Sequence, residues 1–75
     1  MKTNQLDLPT LQIELQKLAG SLELVILLDS TLPTLKKIMR VNNTITVIIN
    51  PDRIYAVRER ERLRNYLIKE IGGMK

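Results

Sequence analysis

The chain has 75 residues, a net charge of +4 and 44% hydrophobic residues, with no cysteine, no histidine and two tyrosines as its only aromatics. Those absences remove thiol nucleophiles, disulfides, Cys/His zinc sites and the commonest general base, so the expectation is a non-enzyme without cofactor or metal. One α/β domain over residues 1–75 is expected, and an unstapled aliphatic core of this size supplies only about 3–5 kcal/mol, which favours a second copy or a protein partner.

The longest apolar run, residues 24–28, is too short to cross a bilayer, and residues 1–10 lack the basic start and apolar stretch of an export signal. Together with zero cysteine, this predicts a cytoplasmic protein. The basic balance, with a pI near 9.8, favours anionic partners without requiring them.

In chain order, Asp7 can cap a first helix that begins at Leu8, tolerates Pro9 in its first turn and stops at Gly20. Leu8, Leu11, Leu15 and Leu18 recur at helical spacing and form its apolar stripe, with Ile13 off the stripe. Residues 22–28 read as a nearly continuous apolar strand, the pattern of a strand covered on both faces. Residues 44–49 are rich in β-branched side chains and predict a second strand, ended by Asn50-Pro51-Asp52.

Residues 31–41 admit two states. As a helix, Ser30 or Thr31 caps, Pro33 sits in the first turn, and Leu32, Leu35 and Met39 face the core, giving α-β-α-β-α with a minimal parallel sheet. As a strand, residues 37–41 fold back on 44–49 around Asn42-Asn43, because Asn tolerates the positive φ of a type I′ turn, giving α-β-β-β-α. Capping and propensity favour the helix.

Asp52 can cap a last helix over residues 53–71, ended by Gly72-Gly73, with Tyr55, Ala56, Leu63, Tyr66, Leu67 and Ile71 on its apolar face. Gly72-Gly73 is similar to the terminal diglycine of activated carrier proteins, but Met74 and Lys75 follow, and a helix stop accounts for the pair.

Four groups of residues are candidates for chemistry or binding. Asp29-Ser30-Thr31 and Asn50-Pro51-Asp52 leave the carboxyl ends of the two strands, where ligand sites gather in open α/β sheets, although capping and turn formation account for both. Arg53, Arg58, Arg62, Arg64 and Lys69 form a basic set able to grip phosphates, with Glu59 and Glu61 interleaved as on an ordinary solvated helix. Arg60 falls on the apolar side near Leu63, Leu67 and Ile71, and these four are the candidate contacts with another copy. The leading expectation is therefore a protein-interaction or regulatory module that acts as a homo-oligomer, joined through strand edges or the last helix. The rival is a nucleic-acid-binding regulator that uses the basic helix.

Ile45-Thr46-Val47-Ile48-Ile49-Asn50-Pro51-Asp52, followed by a helix ending Leu67-Ile68-Lys69-Glu70-Ile71-Gly72-Gly73, is similar to the strand and active-site helix of zincin metallopeptidases. In that family two histidines flank a glutamate and bind zinc. Lys69 and Gly73 stand at the histidine positions here and only Glu70 matches, so neither zinc binding nor peptidase activity is implied.

Overall fold

Leu11, Leu15 and Ala19 lie on one side of a twelve-residue helix, and burying that side fixes the first element, α1 (Leu8–Ala19). This is a computed structural model that describes residues 8–54 and 56–74. The expected cap Asp7 and the apolar-face residue Tyr55 lie outside the described residues. Gly20 ends α1 in the left-handed region at φ 68°, and its N–H donates to Gln16 O as the helix stop requires. Ile13, off the apolar stripe, is exposed.

After α1 come β1 (Glu23–Leu28), β2 (Lys36–Val41), β3 (Thr44–Ile49), a short 3₁₀ turn (Pro51–Arg53) and α2 (Val57–Gly72). The three strands make one sheet in the order β1-β3-β2, with β1 parallel and β2 antiparallel to β3. The order α-β-β-β-α is the hairpin alternative, and the helix expected over residues 31–41 is not formed. The reason is the central position of β3. Its backbone donors and acceptors point to both sides, β1 can satisfy only one, and a helix in the connection would leave the other unpaired.

Asn42 makes the hairpin possible with φ 55°, the only positive φ at a non-glycine among the described residues. A type I′ turn needs positive φ at both central residues, so Asn43 departs from the expected turn while Asn42 fits it.

The last helix also differs at its start. Asn50, not Asp52, is the capping side chain, accepting the Asp52 N–H at 2.9 Å and closing the 3₁₀ turn. Ile54 and Ala56 are both extended, and α2 begins at Val57. Ala56, at the N-cap, has no side-chain acceptor, but the Glu59 carboxylate reaches back to its N–H at 3.1 Å.

Both helices lie on one face of the sheet. Leu11, Leu15 and Ala19 of α1, Leu63, Leu67 and Ile71 of α2, and Leu24, Ile45, Val47 and Ile49 of the sheet form one buried cluster. A Glu14–Arg64 ion pair ties α1 to α2 at 2.8 Å. On the far side of α2 the Lys36 ammonium sits 4.0 Å from the centre of the Tyr66 ring, linking α2 to β2. The expectation that β1 is covered on both faces is corrected here: Leu24 is buried, whereas Leu27 is 48% exposed on the side away from the helices.

Candidate interaction surface

Alternation along β3 assigns each side chain to a face. Ile45, Val47 and Ile49 are buried under the helices, while Thr44, Thr46 and Ile48 point the other way. The strand registers extend this into three cross-strand rows on the uncovered face: Glu23–Thr44–Val41, Val25–Thr46–Met39 and Leu27–Ile48–Lys37. Five of the nine side chains are aliphatic or Met, two are threonines, and the two charged ones occupy opposite corners. Val41, at a third corner, is 64% exposed. A contiguous apolar face of this kind marks a contact surface more readily than scattered exposed leucines do.

Two devices guard the sheet edges. On the outer edge of β1, the Leu24 N–H donates to Gln16 Oε1 at 3.0 Å and the Leu24 carbonyl accepts from Gln12 Nε2 at 2.7 Å. A second bond runs from Gln16 Nε2 to the Leu22 carbonyl at 2.8 Å, so α1 replaces a neighbouring strand over the start of β1. The other edge strand, β2, carries Lys36, Lys37 and Arg40. Lysine and arginine on an edge oppose strand-to-strand association. A strand added at an edge, the contact expected from sequence, would meet the glutamines at the start of β1 or the basic side chains along β2.

The apolar residues expected at an interface on the last helix are placed differently. Leu63, Leu67 and Ile71 are 2%, 0% and 0% exposed within the single chain, filled by its own α1 and sheet, and offer no surface to a partner. Arg60 is half-buried at the border of this core, and its Nη1 has no hydrogen-bond partner among the described residues.

The basic set does not form one surface. Arg53 lies in the 3₁₀ turn, apart from α2, and Arg64 turns toward α1, where its Nε and Nη2 donate to both oxygens of Glu14 at 2.9 and 2.8 Å. That hydrogen-bonded carboxylate, and next its charge, raise the Arg64 pKa further above its ordinary value. Arg58, Arg62 and Lys69 remain together on the outward side of α2, all exposed, alongside Glu61 and Asn65.

At the carboxyl ends of β1 and β3, Asp29 and Asn50 act as structural groups. Asp29 Oδ1 accepts both the N–H and the hydroxyl of Thr31. The hydroxyl bond first, and then the backbone bond, hold its carboxyl below the ordinary value. Asn50 is buried, and its Nδ2 donates to the Leu32 and Ser30 carbonyls at 2.8 and 3.3 Å, which fastens the β1–β2 connection to the end of β3. Asp52 is exposed, and among the described residues no three Asp or Glu side chains converge to hold a metal. A shallow pocket lined by Ala19, Ser21, Leu22, Arg40 and Met74 lies where the end of α1 meets the end of α2, with Arg40 Nη1 donating to the Met74 carbonyl at 3.1 Å. It contains no acid–base pair.

The uncovered face was hinted at in the sequence by the unbroken apolar run of β1, which implied burial on two sides. The two glutamines on the β1 edge had no sequence signal, since Gln at those helix positions reads as solvated surface. No helix among the described residues is long and apolar enough to cross a membrane. Compared with protein-family models, curated proteins and solved structures, the chain matches none.

Proposed function

We propose that this chain is a small non-enzymatic protein-interaction module of the cytoplasm that acts as a homo-oligomer. The observation that carries the reading is the uncovered sheet face, where Val25, Leu27, Met39, Val41 and Ile48 meet solvent while both helices cover the opposite side. A sheet with one bare apolar face has the free energy of that burial still available for association. The lack of cysteine and histidine supports a binding role over a catalytic one, and the absence of cysteine suits a reducing compartment.

Light scattering at low and high salt, with and without a short duplex and a single strand, tests this. A multimer that persists in high salt and ignores both nucleic acids is the expected result, since apolar contacts strengthen or hold as salt rises. A monomer under every condition overturns the oligomeric reading.

A second reading rests on Arg58, Arg62 and Lys69, which share the outward side of α2 and make no ion pair among the described residues. In this reading the chain is a regulator that lays α2 along nucleic acid. Retention that falls steeply with salt and is lost on changing Arg58 and Arg62 to Glu would establish it.

A further inference from the structure

We propose that the uncovered sheet face is occupied by the same face of a second copy, with the two sheets crossed near a right angle so that Glu23 of each copy meets Lys37 of the other. The inference rests on the homo-oligomeric reading and gives it a surface and a geometry.

The argument is one of self-complementarity. The face carries one acid and one base, Glu23 at the start of β1 and Lys37 at the start of β2, and the registers put them at opposite corners of the three-row grid. Both are exposed. Two identical faces packed by a two-fold axis lying between them have four simple arrangements, and each sets the charged corners against something different.

With the axis parallel to β3, Glu23 lands on Val41 and Lys37 on Leu27 of the second copy. With the axis across the strands, Glu23 lands on Leu27 and Lys37 on Val41. Both press an unpaired charge onto an apolar side chain, which is costly without a compensating partner. An axis along the diagonal from Glu23 to Lys37 sets each charge on its own kind. An axis along the other diagonal, from Leu27 to Val41, sets Glu23 against Lys37 twice over.

That last arrangement also matches the rest of the face. Leu27 and Val41 each meet their own counterpart, and Val25 comes over Ile48. Its strands cross near 90°, one of the two established ways in which sheets stack. Each face covers roughly 14 by 20 Å from strand spacing and rise, about 280 Å² a side, which is smaller than a standard interface, so the pair is a weak one that should associate only at micromolar or higher concentration. The guarded edges leave the face as the surface available for such contact: Gln12 and Gln16 engage the start of β1, and Lys36, Lys37 and Arg40 line β2.

The test is sedimentation of the full chain over a concentration series, for the original sequence and four variants, with circular dichroism to confirm that each is folded. Thr46→Lys places a charge at the centre of the face, on the side away from the core, and should abolish the dimer. Glu23→Lys and Lys37→Glu each create two like-charge pairs and should weaken it by about tenfold or more. The double exchange Glu23→Lys with Lys37→Glu restores opposite charges at both corners and should recover most of the affinity.

Two outcomes overturn the inference while leaving the homo-oligomeric reading standing. One is a dimer indifferent to Thr46→Lys, which would place the contact elsewhere. The other is a dimer lost in Thr46→Lys but not rescued by the double exchange, which would keep the face and reject the crossed geometry. A chain monomeric at every concentration overturns both, and leaves the face to an unrelated protein or to a further segment of polypeptide.

Discussion

Arg64 on α2 grips Glu14 on α1 through two parallel hydrogen bonds of 2.9 and 2.8 Å, so the guanidinium that looks like part of a phosphate-binding row is an interhelical fastening. The bidentate geometry is favourable, but the side chains are 47% and 35% exposed, and solvent screens the pair. Replacing Glu14 by Ala should lower stability only slightly, and Arg64→Ala likewise, because solvent screens an exposed pair. A urea double-mutant cycle measures the coupling, and a value near zero would mean the contact is incidental.

Asn50 should be far less tolerant. It is buried, its amide holds two carbonyls of the β1–β2 connection, and its carbonyl oxygen closes the 3₁₀ turn. Truncation to Ala strands those groups, and we expect a loss of about 1–3 kcal/mol in equilibrium unfolding. Unchanged unfolding would show that water replaces all three bonds without cost.

Leu63 and Leu67 are the inward anchors of α2, 2% and 0% exposed. Each change to Ala removes a buried side chain from a close-packed cluster and should destabilise by about 2–5 kcal/mol. Because a small domain has little stability in reserve, either variant should be partly unfolded at ambient temperature. A fully folded Leu67→Ala would argue that α2 shifts to fill the space.

Asp29 predicts a pH dependence of definite sign. Its folded carboxyl titrates below the ordinary value because Thr31 donates to it. Its contribution to stability is therefore fully present above the unfolded value and lost as pH falls through the lower, folded value. Carbon-detected titration of the Asp29 carboxyl should show the depressed midpoint, and Thr31→Val should move it back toward the ordinary range while leaving the backbone bond in place. A midpoint insensitive to Thr31→Val would assign the shift to another source.

Much of this architecture was legible before the structure, and the misses share a cause. α1, β1, β3 and the body of α2 follow from periodicity, caps and β-branching, all of which act over a few residues. Residues 31–41 went astray because Pro33 and the Leu32, Leu35, Met39 spacing satisfy a helix locally, whereas the strand is imposed from a distance by the unpaired side of β3. The start of α2 failed for a similar reason: Asp52 is a good cap in isolation, but Asn50, whose amide also reaches back to Ser30 and Leu32, closes a 3₁₀ turn over Pro51–Arg53, and α2 starts only at Val57 behind Ala56 and Glu59. Leu63, Leu67 and Ile71 read as candidate contacts because an apolar helix face cannot reveal whether its own chain or another one covers it. Leu63, Leu67 and Ile71 are satisfied at home, and the uncovered apolar surface lies on the back of the sheet instead.

The position of β3 between an antiparallel and a parallel neighbour also orders the assembly of the sheet in time. From β2 it is separated only by Asn42 and Asn43, but from β1 by the whole connection and β2 besides. Closing the short turn costs little entropy and the long detour costs more, so the hairpin should form first and β1, with α1 attached through its glutamines, should dock last. Pulse-labelling during refolding should then find the hairpin amides protected before those of Glu23 and Asp29, which bond to the Asn43 and Ile49 carbonyls; simultaneous protection would reject that order. On this route Val25 and Leu27 reach the bare face only at the final step, so a folding intermediate lacks the completed surface through which two chains would join.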